Sequence, residues 1–169
     1  MNRVQKTVYL VRHAKSSWGE PGLADMERPL NKRGSSDCQE MGSRLNRRGL
    51  IPDLIVSSPA LRAVTTAQCI ARQLQYPEAD IVEEEAMYCS GTDALNAVLQ
   101  RLDERFSTVM LVGHNPDMTG LVNMLCGPVV DDMPTCAIAT VGLDIENWSE
   151  IDTGTGELAD YDFPKKTST

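Results

Sequence analysis

The sequence predicts an α/β sandwich on a mostly parallel sheet, with elements in the order βαβαβαβαββ and a closing hairpin. Three observations carry this prediction. The runs Val8–Val11 and Thr108–Val112 are apolar without strict alternation, as strands buried on both faces of a parallel sheet are. Stretches with apolar residues at helical spacing separate the strand-like runs, the pattern that crossover helices leave. With 169 residues and 41% hydrophobic content, the chain suits one domain, 1–169, with a sizeable core.

The first strand lies in Thr7 to Ser16, TVYLVRHAKS, where the apolar run stops abruptly at Arg12 and His13. Ser16 to Leu30, SSWGEPGLADMERPL, is rich in Gly, Pro and small polar residues and reads as an active-site loop carrying Glu20, Asp25, Glu27 and Arg28. Cys38, Met41 and Leu45 then mark the first crossover helix, with Asn31 as its cap and Gly49 as its stop. Leu54 to Val56 form a short buried strand ending in Ser57, Ser58 and Pro59. From Pro59 to Leu74 the spacing predicts a helix with Ser58 as cap, Pro59 in the first turn and Arg62 close behind.

Ile81 to Tyr88 reads as a strand interrupted by Glu83, Glu84 and Glu85, a solvated acidic run with no histidine nearby. Thr92 is expected to cap a helix from Asp93 to about Arg105, with Leu95, Val98, Leu99 and Leu102 on its apolar face. After the Thr108 strand, Pro116 opens a helix that Gly127 and Pro128 end. Cys136 to Ile145 and Glu157 to Phe163 read as two strands joined by a turn at 152–156, and residues 165–169 as a frayed tail.

Composition narrows the function. A net charge of -8 disfavours a nucleic-acid partner, since phosphate-backbone binding needs a basic field. A local basic pocket within that acidic surface would instead suit a single phosphoryl group on a small substrate or on a partner protein. The longest apolar runs are strand-sized, which argues against a membrane span, and no signal-peptide core precedes the first strand, so a cytoplasmic location is the expectation. Five widely spaced cysteines without a CxxC pair argue against a disulfide framework or a structural zinc site, and most are expected to be buried core thiols.

The chain has two histidines, and each follows directly on one of the two most strand-like runs: His13 after VYLVR and His114 after TVMLVG. Ligands of open α/β sheets bind at the carboxyl ends of strands, so the two imidazoles are placed to share a substrate. A neutral imidazole serves as nucleophile, general base or metal ligand. Arg62, in the first turn of a helix that starts at another strand end, adds a bidentate fork for phosphate oxygens.

The runs LVRHAKS, RPLNKRG, VSSPALRAVTTA and LVGHNP together resemble the histidine phosphatase superfamily, whose signature is an Arg-His-Gly stretch on the first strand. The likeness spans nearly the whole chain. The short length, without the helical lid of the phosphoglycerate mutase branch, is similar to the small SixA-type phosphohistidine phosphatases. Ala14 stands where glycine is more usual, and the turn is expected to survive the change. The resemblance implies a three-layer, phosphoglycerate mutase-like fold and a metal-independent phosphatase without cofactor. His13 would attack phosphorus, Arg12 and Arg62 would bind the equatorial oxygens, and His114 would hydrogen-bond the transferring group. Ser16 joins Arg12, Arg62 and His114 in the expected substrate-binding set. Asp25 is the first candidate for the general acid, with Glu20, Glu27 and Glu85 as alternatives. The substrate implied is phosphohistidine in a partner protein of the histidine-phosphotransfer type. A phosphatase for a small phosphate ester and a silent phosphate-binding module are the competing readings.

Overall fold

The computed structural model describes residues 4–18 and 21–166. Six strands form one sheet in the order β3-β2-β4-β1-β5-β6. They are β1 (Lys6–Arg12), β2 (Leu54–Ser57), β3 (Val82–Glu83), β4 (Thr108–Gly113), β5 (Ile138–Leu143) and β6 (Gly156–Asp162). Pairings β3–β2, β2–β4 and β4–β1 are parallel, while β1–β5 and β5–β6 are antiparallel. Four helices cover the sheet: α1 (Lys32–Arg47), α2 (Leu61–Leu74), α3 (Thr92–Gln100) and α4 (Asp117–Cys126).

The period of two along each central strand explains the three layers. Val8 and Leu10 of β1, with Val109 and Leu111 of β4, face a core shared with Leu95 and Leu99 of α3 and Leu121 and Leu125 of α4. Tyr9, Val11, Met110 and Val112 point the other way, into a core built with Cys38 and Met41 of α1 and Ala67 and Ile70 of α2. Both faces are therefore buried, which is why these strands read as continuous apolar runs. No described helix is long and apolar enough to cross a membrane.

Local chemistry sets the ends of α1. The Asn31 side chain accepts a hydrogen bond from the Gly34 amide at 2.8 Å, an N-cap that contributes about 1 kcal/mol. Gly49 takes φ +68 just beyond the helix, the left-handed conformation that glycine adopts at least cost. Gly34 has a different reason to be glycine: a Cβ there would stand 2.1 Å from the Lys15 carbonyl oxygen. The close approach joins the start of α1 to the segment leaving β1, and the same carbonyl accepts from the Asn31 amide at 3.0 Å.

Several boundaries differ from the sequence reading. α2 begins at Leu61 with Ala60 at the cap position and no side-chain cap bond. Ser58 lies two residues before that cap position, and its hydroxyl oxygen accepts from the Ala60 amide at 3.3 Å while lying 2.8 Å from His114 Nε2. The expected strand 81–88 shrinks to Val82–Glu83, after which Glu84 accepts from the Ala86 amide and a 3-10 turn covers Glu85–Met87. Carboxylates capping their own backbone compete with the sheet ladder there. α3 starts after Gly91 and stops at Gln100, because the Thr92 hydroxyl donates to the Asp117 carbonyl and the chain turns at Arg101. The β5–β6 link is longer than a tight turn and contains a 3-10 turn at Trp148–Glu150. Of the cysteines, Cys38, Cys69 and Cys136 are buried, Cys126 is intermediate and Cys89 is exposed.

Candidate active site

The parallel strands β2, β4 and β1 end side by side, and each is followed by a polar residue, Ser58, His114 and His13 in turn. The His13 amide donates to the Gly113 carbonyl at 2.9 Å and the Ser58 amide to the Val112 carbonyl at 3.0 Å, so the residues following β1, β4 and β2 are in register. His13 and His114 lie with ring centroids 5.1 Å apart. A cavity of about 500 Å3 opens there, lined by Arg12, His13, Ser16, Asp25, Arg62 and His114 among others. All six residues expected for the site from the sequence are thus brought together.

The turn after His13 is held from α2. The Ala14 amide donates to the Thr66 hydroxyl at 3.0 Å, and that hydroxyl donates to the Arg62 carbonyl at 2.7 Å. Ala14 is fully buried and needs no left-handed φ, so alanine in place of glycine keeps the turn.

His13 Nδ1 lies 2.7 Å from the Ala14 carbonyl oxygen. A carbonyl can only accept, so the ring proton sits on Nδ1 and the lone pair is left on Nε2. Burial lowers the His13 pKa to about 4, with repulsion from Arg62, Arg12 and Arg28 adding to it against the Ala14 hydrogen bond. The ring is neutral at pH 7 and nucleophilic at Nε2. Burial, then the neighbouring His13 and Arg62, lower His114 to about 3. Its Nε2 is 2.8 Å from Ser58 Oγ, which also accepts from the Ala60 amide at 3.3 Å. With the Ser58 hydroxyl donating to the Nε2 lone pair, the proton of the neutral His114 ring sits on Nδ1, which has no hydrogen-bond partner among the described residues.

The arginines differ in how fully they are engaged. Arg12 donates from Nη1 to the Met133 carbonyl at 2.7 Å, while its buried Nε has no partner among the described residues. Arg62 is only 5% exposed and donates from Nη1 to the Asp25 carbonyl at 2.7 Å and from Nη2 to Asp25 Oδ2 at 2.9 Å.

Asp25 lies in the cavity wall but in the wrong state for a general acid. Its carboxylate accepts from the Tyr88 hydroxyl, from Arg28 Nη1 at 2.9 Å and from Arg62 Nη2 at 2.9 Å. These donors, the Tyr88 bond first, hold its pKa well below the usual carboxylate range. It has no proton to give. Glu27 and Glu85 are exposed and outside the cavity lining, and Glu20 lies outside the described residues.

Three participants are not among the residues expected for the site, although the sequence places Arg28 in the active-site loop. Arg28 lines the cavity with its side chain 11% exposed, and its place three residues after Asp25 in the same loop was the available signal. Tyr88 contacts Asp25 and meets the His114 ring edge-on at 5.6 Å, and nothing local in the sequence marked it. Ser58 was visible, but as a cap. Among the described residues no group of three or more His, Cys, Asp or Glu side chains is placed to hold a metal ion.

Residues 8–87 match the model of the histidine phosphatase superfamily, branch 1. The phosphohistidine phosphatase SixA of Escherichia coli K12 is 30% identical over 139 residues, covering 81% of this chain and 85% of that protein. The chain belongs to the histidine phosphatase superfamily. Within that superfamily, the solved protein histidine phosphatase SixA complexed with tungstate is similar at TM-score 0.79 and 26% identity, covering 94% of this chain and 97% of that one. The fold alone extends to a phosphoglycerate mutase of Bacillus anthracis, at TM-score 0.62 and 14% identity, with 86% of this chain and 95% of that one covered. Membership of the histidine phosphatase superfamily and the SixA likeness support a phosphatase with a histidine mechanism.

Proposed function

We propose that this chain is a phosphohistidine phosphatase that removes the phosphoryl group from a histidine of a partner protein through a covalent intermediate on His13. One observation carries the choice of substrate: Asp25, the carboxylate lining the cavity, is held ionised by Tyr88, Arg28 and Arg62. An alkyl phosphate ester expels an alkoxide and depends on a proton donor. A phosphorylated imidazole has a second ring nitrogen that takes a proton near neutral pH, as histidine does at about 6.5. It then leaves as neutral imidazole without help from an enzyme acid.

In this reading the phosphoryl oxygens meet Arg12, Arg62 and the His114 Nδ1 proton, with Ser16 at the rim. His13 Nε2 attacks phosphorus, and the bond to the substrate nitrogen breaks with its electron pair returning to that ring. Water then attacks phosphorus, the P–Nε2 bond breaks toward His13, and inorganic phosphate leaves. The arginines and His114 act on charge that builds on the transferring oxygens. A cavity of about 500 Å3 also lies within the usual span of small-molecule sites, which favours a small phosphate ester as the second reading.

The test is a rapid incubation with a phosphorylated histidine-carrier protein in the presence of EDTA, quenched in alkali and followed by mass mapping. Phosphate on His13, lost in His13→Ala together with turnover, is the expected result. Hydrolysis of sugar or nucleotide phosphates that dwarfs the activity on every phosphohistidine protein offered would transfer the assignment to the ester.

A further inference from the structure

We propose that Arg28 is a third anion-binding arginine of the cavity, and that the Asp25 carboxylate bridging it to Arg62 is an internal anion displaced by the incoming phosphoryl group. The inference rests on reading the cavity as a phosphoryl site, and the displaced carboxylate keeps the Tyr88 hydroxyl, the first of the donors that hold it ionised.

Arg28 is fixed by contacts that do not depend on Asp25. Its Nη2 donates to Ser16 Oγ at 2.6 Å and its Nε to the Ser17 carbonyl at 3.2 Å. The Trp18 indole covers one guanidinium face, 3.4 Å from ring centroid to Cζ. Antiparallel pairing of Ser16 with Leu30 closes the base of the loop behind it. Its charged partner is Asp25, through Nη1. Loss of Asp25 would leave the guanidinium in place with a donor turned toward the cavity.

Asp25 is held almost wholly by its polar contacts. It starts a 3-10 turn, Asp25–Glu27, that has no buried residue, and its side chain is 44% exposed. One carboxylate oxygen sits on each arginine, Oδ1 on Arg28 and Oδ2 on Arg62, which is how a bound oxyanion bridges two guanidinium groups. A phosphoryl group brings three oxygens and a charge of about -1.5 to -2 at neutral pH, against one unit on the carboxylate. It therefore outcompetes Asp25 for the same donors, where a monoanionic carboxylate would gain little. The arrangement selects dianions, and Ser16 takes part because Arg28 occupies its acceptor side and leaves its hydroxyl proton free to donate.

Equilibrium binding of inorganic phosphate, followed by calorimetry, tests this without requiring turnover. Asp25→Asn is expected to tighten phosphate binding about tenfold, within the usual span for two coupled ligands. Arg28→Ala in the Asp25→Asn background is expected to remove most of that gain. Asp25→Ala checks that the tightening follows charge rather than a new amide contact. Phosphate binding unchanged or weakened in both Asp25 variants overturns the internal-anion role, and a double variant as tight as Asp25→Asn overturns the role of Arg28. Inactivity toward phosphohistidine proteins alongside tightened phosphate binding would instead count against the proposed substrate.

Discussion

Acidification should unfold this protein earlier than its carboxylates alone would require, and the cause is the pair of cavity histidines. In the unfolded chain both rings take a proton near pH 6.5. Folded, His13 does so at about 4 and His114 at about 3, because burial and the neighbouring cations disfavour the imidazolium. Between these values the unfolded state binds protons that the folded state does not, so stability is greatest above about pH 7 and falls as the pH drops. Each ring contributes a slope approaching about 1.4 kcal/mol per pH unit, or about 2 kcal/mol between pH 7 and 5 and about 4 kcal/mol for both. That is a large share of the roughly 5–15 kcal/mol typical of a domain. The chain has two histidines, so no other side chain of ordinary pKa titrates in this window. The depressed Asp25 acts lower, where its stabilisation is lost only as the pH falls below the usual carboxylate range. Urea denaturation at pH 7, 6 and 5 reads the effect: with an m-value of about 2 kcal/mol/M, the midpoint should fall by about 2 M. In His13→Asn about half of the fall should remain. A midpoint that stays level or rises toward pH 5 would show that the rings titrate alike folded and unfolded, and would remove the case for a nucleophile kept neutral by burial.

Two further outcomes follow from single contacts. Arg62→Ala should raise KM and lower kcat together, costing about 10²–10³ in kcat/KM, because the same guanidinium serves bound substrate and transition state; steady-state kinetics that move KM alone would confine it to ground-state binding. Gly34→Ala should lower the urea midpoint despite alanine's higher helix propensity, because its Cβ meets the Lys15 carbonyl at 2.1 Å and moves either α1 or the chain after His13. A stability at or above that of the parent would refute that close approach.

The sequence signals that held were those whose physics is local or strictly periodic. β1 and β4 were legible because burial on both faces leaves an unbroken apolar run, and the histidines because each run ends in one. Asn31 and Gly49 bound α1 as their backbone preferences dictate. Residues 81–88 misled because Glu84 capping of Ala86 outweighs the strand propensity of their apolar members. The identity of Asp25 was visible and its state was not. That state depends on Arg62, 37 residues away, and on Tyr88, 63 residues away. No pattern along the chain links these three, so proximity suggested an acid where the fold builds an ion pair.

The same cations do two jobs in this cavity, and the jobs are compatible only because the nucleophile is an imidazole. In the proposed reading Arg12, Arg28 and Arg62 draw a phosphoryl dianion into a chain of net charge -8, and the same three charges repel a proton from His13. A carboxylate nucleophile there would be neutralised by ion pairing, as Asp25 is; a neutral ring keeps its lone pair beside the arginines. In the proposed mechanism the phosphorylated His13 carries the dianion that those arginines favour, so the intermediate is stabilised by the charges that prepared the nucleophile. Tight binding of the product is the drawback. In the proposed exchange Asp25 answers it, since after hydrolysis the carboxylate returns to Arg28 and Arg62 and competes with phosphate for the donors that would retain it. Affinity for the product and speed of its release are then set against each other by one residue, so Asp25→Asn should bind phosphate more tightly and release it more slowly.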